Sequence, residues 1–393
     1  MDNVNVNKID NVINKNLEKI QKSYNFSKFE EYYVAYKNIV FDYYVVLIIF
    51  FIFVVPMIYS KIGIENKTKF YSWLIFILII LLGLNALILS LWRTYVPSGR
   101  LSKVNDCLAS SSQVIFNKLN KPIEYYTKYL DKPFNEFYIN TSHNTYLPCT
   151  QNADISSTEA IKRALGMGAR VIELDCYARN NKGTNPEDFE PVVAHGVERK
   201  DGDIFTTTPI SFEECIDIIA TYGFLTSDPL IIDIEMNTNK IPQTQKIMKE
   251  IILKKLNKWL LPKEYKIINT DNRKIFIDEP IKNLLNKVII VSGNGYVEDF
   301  KDVLDAAYYS DKLMNADHKD SRVITKENKP GVIQRIYPAG DIEGALSFNY
   351  DPTIFWKNKC QLVALNFQKF DDNLMKNIAF FKNCSFIHFS QVN

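Results

Sequence analysis

Arg170-Val171-Ile172-Glu173-Leu174-Asp175-Cys176-Tyr177 is an apolar run interrupted by two acids, and it reads as a β-strand. Residues two apart on a strand project from one face, so Glu173 and Asp175 stand side by side. Like charges in that position repel unless something neutralises them. A hard divalent cation held by carboxylate and amide oxygens would do so. Outward from this strand lie Ser142-His143-Asn144-Thr145-Tyr146-Leu147, then His195-Gly196, then Glu235. The chain has 4 histidines, and two of them fall in this region. Imidazoles beside paired carboxylates supply proton transfer near neutral pH. Together these residues are the equipment of metal-assisted phosphodiester chemistry.

The surrounding pattern alternates strands and helices. Strands are expected at Phe137–Thr141, from Arg170, at Pro191–Ala194, Pro229–Glu235, Lys287–Val291, Val332–Tyr337 and Gln361–Phe367, with one more hidden around Asp305–Ser310. Helices are expected at Ser157–Gly166, Ser211–Tyr222 and Gln243–Leu261, the first two opened by capping Ser or Thr residues. Alternation of this kind predicts a parallel sheet. A count near eight over about 260 residues predicts an α/β fold of the (β/α)8, TIM-like barrel type. An open doubly wound sheet is the alternative, but no Gly-rich phosphate fingerprint follows the first strand. On the barrel reading His143 and Asn144 follow the first strand, Glu173 and Asp175 end the second, His195 the third and Glu235 the fourth. Arg335 and Tyr337 end a late strand, so all point to the C-terminal mouth, where barrel chemistry occurs.

Ahead of the barrel are two uncharged apolar runs, Tyr43–Ser60 and Phe70–Trp92, of about 18 and about 23 residues, long enough to cross a bilayer. Tyr43, Tyr44, Tyr59, Tyr71, Trp73 and Trp92 lie at their ends, as interfacial aromatics do. The short connector, Lys61–Lys69, makes them an α-helical membrane hairpin with both flanks on one side. A slight excess of flanking lysine and arginine favours the cytoplasmic side for the termini and catalytic part. Pro56 and the shorter first run leave a re-entrant wedge as the variant, and buried core helices are the alternative. The organisation expected is a polar or amphipathic segment over 1–42, the hairpin over 43–92, a linker over 93–132 with a helix around Leu108–Leu119, and half-barrels over 133–292 and 293–393. Roughly forty polar residues before the first apolar run exclude a secretory signal. The net charge of +2 on 393 residues provides no field for nucleic acid. The 6 cysteines have no paired spacing, so neither a zinc site nor a disulfide framework follows.

With these residues in place the chain resembles the eukaryotic phosphoinositide-specific phospholipase C family. SHNTYL (142–147), ELDC (173–176), HG (195–196) and the strand ending in Glu235 are similar in order to its X region; QRIYPAG (334–340), FW (355–356) and CQLVALNFQ (360–368) are similar to its Y region. The resemblance implies calcium-dependent cleavage of inositol phospholipids to diacylglycerol and an inositol phosphate. It implies Asn144, Glu173, Asp175 and Glu235 as metal ligands and His143 and His195 as the catalytic pair. Arg335 and Tyr337 match positions that contact the headgroup. In chemical terms the inositol 2-hydroxyl must lose a proton, to Glu173 or to Asp175, and attack phosphorus. Calcium lowers that hydroxyl's pKa and offsets developing charge, His143 stabilises phosphoryl oxygens, and His195 protonates the leaving oxygen. Water then opens the cyclic phosphate by the reverse proton route.

Two departures stand out. The family's Lys-Gly-Lys pattern is replaced by Ser292-Gly293-Asn294, which favours phosphatidylinositol or a monophosphate over the bisphosphate lipid. Asp341-Ile342-Glu343 stands where a membrane-inserting Trp usually follows Pro-Ala-Gly; a hairpin already holding the enzyme at its substrate makes that Trp dispensable. No C2, pleckstrin-like or EF-hand signature is expected, and the segment near Gly293–Asp302 is too short for a long acidic insert. The other readings are a different metal phosphodiesterase on a similar barrel, glycerophosphodiesterase- or sphingomyelinase-like, and a non-catalytic lipid tether.

Overall fold

The computed structural model describes residues 122–392 apart from 149–150, 152–153, 181–188, 198–203, 239–240, 270 and 341–346, together with 9–11, 13–14, 69–71, 73, 75–76, 80 and 83. The chain divides into two compact units, one formed by Met1–Leu17 with Pro97–Asn393 and the other by Glu18–Val96.

Eight parallel strands build the larger unit: β1 (Phe137–Ser142), β2 (Val171–Asn180), β3 (Leu230–Asn237), β4 (Val288–Ser292), β5 (Ala306–Ala307), β6 (Leu313–Asp317), β7 (Ile333–Tyr337) and β8 (Leu362–Leu365). Their order around the sheet is β5-β4-β3-β2-β1-β8-β7-β6. This is a nearly closed barrel whose two edges, β5 and β6, are consecutive in sequence. β1 and β4 are buried along their whole length, as parallel strands covered on both faces must be. Tyr309 lies at the open seam in a left-handed conformation, φ 67°. Its N–H donates to Leu313 O (2.8 Å) and its hydroxyl to Asn315 O (2.9 Å), so carbonyls of the β6 edge are satisfied without a neighbouring strand.

The covering helices start where the sequence places their caps. Ser157 Oγ accepts from Glu159 N ahead of α1 (Thr158–Gly166), and Ser211 Oγ accepts from Glu213 N ahead of α2 (Phe212–Tyr222). Pro242 opens α3 (Pro242–Leu256), which ends five residues before the expected Leu261 because Asn257 to Trp259 turn away into a bridge at Leu260.

Two strand assignments need correction, and a third is borne out. Phe189–Val193 is a strand, but it pairs antiparallel with the outer half of β2, Cys176 opposite Val193 and Asn180 opposite Phe189. It therefore lies outside the parallel barrel, His195 does not end a barrel strand, and Glu235 sits on the third barrel strand rather than the fourth. A run of buried Val and Ala carries no mark of strand direction, which is why it read as parallel. The sixth strand, Leu313–Asp317, was missed because Asn315 and Asp317 interrupt its apolar run. The short hidden strand is present as Ala306–Ala307.

At the N-terminal end of the barrel Gln361, immediately before β8, clasps three segments. Its Nε2 donates to Asn135 O (2.8 Å) and Val332 O (3.0 Å), and its Oε1 accepts from Gln334 N (2.9 Å) and Asn328 Nδ2 (3.1 Å). Beneath the strands Phe134, Phe137, Phe276 and Phe386 fill the lower core with Ile123 and Tyr129, which precede β1. Near the start of the chain Ile9 and Ile13 are buried in the same unit, and Asp10 pairs with Lys357 Nζ at 2.9 Å. The four described cysteines, Cys176, Cys215, Cys360 and Cys384, are free and buried.

The first expected membrane run, Tyr43–Ser60, and the helix around Leu108–Leu119 lie outside the described residues, as does Asp341-Ile342-Glu343. Of Phe70–Trp92, residues 70, 71, 73, 75, 76, 80 and 83 are described and all are helical. Among the described residues no helix is long and apolar enough to cross a membrane.

Gln361→Ala strands several buried polar groups at once. Each costs about 1–3 kcal/mol, so urea unfolding should show a loss of about 3 kcal/mol; a loss under about 1 kcal/mol would contradict the clasp.

Candidate active site

β2 and β3 run in register, with Glu173 opposite Asp233 and Asp175 opposite Glu235. Because residues i and i+2 share a face, this register gathers four carboxylates into one block. Carboxylate oxygens of Glu173, Asp175 and Glu235 all lie within 4.8 Å of one another. At that separation two full charges repel by about 3 kcal/mol with an effective dielectric of about 20, so the block cannot stay ionised without cations.

Arg335, on β7, answers the pair deeper in the barrel. Its Nη2 pairs with Glu173 Oε1, and its Nε lies 3.1 Å from Asp233 Oδ2. Nη1 donates to Asn315 Oδ1 at 3.1 Å, and the rings of Tyr337 and Tyr308 lie 5.4 and 6.0 Å from the guanidinium carbon. Burial opposes the Glu173 charge, yet the Arg335 guanidinium, then His143, hold its carboxyl below the usual range. Asp233 is pushed up to about 7 by burial, against the pull of Arg335, and it accepts a 2.5 Å hydrogen bond from the Tyr308 hydroxyl.

The pair nearer the mouth is different. Asp175 Oδ2 accepts from the Tyr146 hydroxyl at 2.8 Å, while its buried Oδ1 has no hydrogen-bond partner. Burial, then the charges of Glu235 and Glu173, raise the Asp175 carboxyl well above its ordinary value. Glu235 is exposed and accepts from Asn237 Nδ2 at 3.1 Å. An orphaned carboxylate oxygen facing two further carboxylates fits a hard divalent cation such as calcium. Glu173, Asp175 and Glu235 would hold it. Asn144 joins the group through its backbone, whose N–H donates to Glu173 Oε2 at 3.0 Å. It takes a left-handed conformation, φ 42°, which Asn tolerates better than most residues. The next residue locks the turn to β2: Thr145 N–H donates to Glu173 O (3.2 Å) and Thr145 Oγ1 accepts from Glu173 N (3.0 Å).

His143 continues from β1, and its Nε2 lies 3.9 Å from Glu173 Oε2. Its Nδ1 is 2.9 Å from Asn366 Oδ1. Asn366 donates from Nδ2 to Phe348 O (2.9 Å), which orients its oxygen toward the imidazole and places the ring proton on Nδ1. Burial lowers the His143 pKa against the Glu173 charge. His195 is reached by the antiparallel excursion, its Nδ1 2.7 Å from Thr206 Oγ1, which itself donates to Gln151 O at 2.7 Å. Burial, then the neighbouring His143, lower the His195 pKa to about 4. His318 and His388 serve packing: His318 stacks on Tyr350 and His388 on Tyr129.

Every residue singled out from the sequence thus contributes to this mouth or borders it. Asp233, Tyr308, Tyr146, Asn315, Thr206 and Asn366 were missed. For Asp233 a signal existed, since Asp233-Ile234-Glu235 repeats the spacing of Glu173-Leu174-Asp175. Tyr308 offers none, because it reaches Asp233 from the turn after β5, across the intervening strand β4.

A nearly closed parallel barrel with an acidic block and two histidines at its C-terminal mouth is the architecture of a barrel phosphodiesterase. Residues 130–293 match the phosphatidylinositol-specific phospholipase C X domain, and residues 303–388 match the Y domain of the same family. The chain belongs to the phosphatidylinositol-specific phospholipase C family. Among curated proteins it is similar to 1-phosphatidylinositol 4,5-bisphosphate phosphodiesterase delta-3-A of Danio rerio, 28% identical over 325 residues, taking in 68% of this chain and 38% of that one. The Saccharomyces cerevisiae 1-phosphatidylinositol 4,5-bisphosphate phosphodiesterase 1 is 25% identical over 333 residues, 66% of this chain and 36% of that one. Homo sapiens 1-phosphatidylinositol 4,5-bisphosphate phosphodiesterase beta-2 is 40% identical over 120 residues, 30% of this chain and 9% of that one. The chain therefore spans well under half the length of these relatives. The crystal structure of S. officinalis PLC21 shares the fold, with TM-score 0.54 and 24% identity over 66% of this chain and 37% of that one.

A proton on Asp175 competes with a metal ion. Because burial and its carboxylate neighbours raise the Asp175 pKa, calcium uptake should release protons, and affinity should weaken as pH falls. Calorimetric titration in buffers of different ionisation heat checks this; a buffer-independent enthalpy would contradict it.

Proposed function

We propose that this chain is a membrane-anchored, calcium-dependent phosphoinositide phospholipase C that cleaves inositol phospholipids to diacylglycerol and inositol phosphate. The observation that carries the reading is the in-register block of Glu173, Asp233, Asp175 and Glu235, of which Arg335 pairs with only the first two. The names of the curated relatives, all phosphodiesterases of an inositol lipid, point to the same substrate class.

Asn144, Glu173, Asp175 and Glu235 would hold calcium, which when bound would supply Lewis-acid stabilisation of a phosphoryl oxygen and acidify the inositol 2-hydroxyl. Glu173, kept ionised by Arg335, is the group assigned to take the hydroxyl proton. His143, fixed by Asn366, donates to the phosphoryl oxygens from its outward nitrogen. His195 protonates the diacylglycerol oxygen. Both imidazoles are held neutral by burial, and the negative charge of an arriving phosphodiester favours their protonated forms. Water then opens the cyclic phosphate with the proton transfers reversed. Tyr337 lies against the inositol ring, beside Arg335.

The anchor is the hairpin over 43–92, with the barrel on the cytoplasmic face. Tyr71, Trp73, Ile75, Phe76 and Ile80 are exposed on helical residues of the smaller unit, Trp73 by 64%. A cluster of exposed large apolar side chains favours lipid contact over water.

His143→Ala and Glu173→Ala should each lower lipid cleavage at least a thousandfold with unchanged circular dichroism, and chelating calcium should stop the wild type. Turnover like that of wild type in either variant would overturn the assignment. Phosphatidylinositol should be cleaved at least as fast as the bisphosphate lipid in mixed vesicles. Solubility of the full chain in carbonate-washed membranes, rather than retention in the pellet, would contradict the anchor.

A further inference from the structure

We propose that Asp233 is a specificity-determining residue, which clamps Arg335 inside the barrel and tunes the mouth toward inositol rings that carry no phosphate monoester. The inference rests on the phospholipase reading and identifies the substrate class of that same site.

Arg335 is the only basic residue in β7, and it is 3% exposed. Two arms of its guanidinium are ion-paired and the third is hydrogen-bonded within the protein. Nη2 meets Glu173, Nε meets Asp233 Oδ2 at 3.1 Å, and Nη1 donates to Asn315 at 3.1 Å. Tyr308 holds the same Asp233 oxygen with its hydroxyl at 2.5 Å, and its own backbone N–H is fixed to Ser292 O at 3.0 Å. The clamp is therefore built from β3, β6 and the turn after β5, and it does not depend on a mobile surface chain.

Recognition of a ring phosphate needs a cation with donors to spare, ideally a planar fork aimed at two oxygens. Here the guanidinium is buried, and its single charge is already balanced by two carboxylates, Glu173 and Asp233. The neighbouring end of β4 brings no replacement, because it runs Ser292-Gly293-Asn294 and Ser292 Oγ donates to Ile234 O at 2.7 Å. A phosphorylated ring would meet an acidic block whose arginine is turned inward. A ring bearing only hydroxyls would meet carboxylate acceptors, to which it donates readily. Asp233 is the residue that decides this. It stands in register with Glu173, and a neutral residue there would leave the Arg335 charge with one carboxylate, Glu173, in place of two.

The test uses the full chain on phosphatidylcholine vesicles containing either phosphatidylinositol or phosphatidylinositol 4,5-bisphosphate as the sole inositol lipid. Asp233→Asn should raise the bisphosphate-to-phosphatidylinositol ratio of kcat/KM about tenfold, chiefly through KM for the bisphosphate. Tyr308→Phe should move the ratio the same way by a smaller factor. Equal changes on both lipids in a folded Asp233→Asn protein would overturn the proposal, as would a strong bisphosphate preference in the wild type. If Asp233→Asn does not fold, an unchanged ratio in Tyr308→Phe overturns it. A wild type that cleaves neither lipid would instead refute the phospholipase reading on which the proposal stands.

Discussion

Four carboxylates on two adjacent parallel strands constrain everything around them. β2 and β3 could not bury Glu173, Asp175 and Asp233 next to Glu235 without compensation, since charge taken out of water costs several kcal/mol per ion even after relaxation. The barrel supplies one cation, Arg335, and sets it between Glu173 and Asp233. Asp175 is left with a tyrosine hydroxyl on one oxygen and nothing on the other. The deeper half of the block is structurally balanced, and the half nearer the mouth is balanced only by a proton or by a metal ion. That asymmetry turns a structural burden into a candidate metal site.

The scaffold serves this arrangement in a consistent way. Closure of the parallel sheet brings Arg335 from β7 across the barrel to β2 and β3, which no local sequence neighbour could do. The turn after β1 is bolted to β2 by the reciprocal bonds of Thr145 and Glu173, so Asn144 and His143 have fixed positions relative to the acids. Asn366 then sets the imidazole tautomer from the end of β8, and is itself held by Asn349 Oδ1 at 2.6 Å. Side chains placed by rigid strands, with partners that fix their rotamers, are preorganised for chemistry at a single spot.

Much of this was legible in the sequence because the relevant information is local. Buried parallel strands announce themselves as apolar runs, Ser157 and Ser211 cap their helices, and the spacing of Glu173 and Asp175 fixes their common face. What escaped was information that only the closed barrel creates. Phe189–Val193 looks like any buried strand, and its antiparallel course is set by its partner on β2. Leu313–Asp317 carries polar residues because Asn315 serves Arg335, so its function masked its strand character. Arg335 was legible as a mouth residue, but its capture by Asp233 and Tyr308 was not, because those partners lie 102 and 27 positions away in sequence.

The chemistry at this mouth depends on whether the acidic block takes up a metal ion. Anomalous diffraction from crystals of the protein grown with calcium is the most direct measurement. One strong calcium peak is predicted within about 2.3–2.6 Å of oxygens from Asn144, Glu173, Asp175 and Glu235, with Asp175 Oδ1 among them. A block that stays free of calcium at saturating concentration, with Arg335 still on Glu173 and Asp175 Oδ1 still lacking a partner, would contradict it.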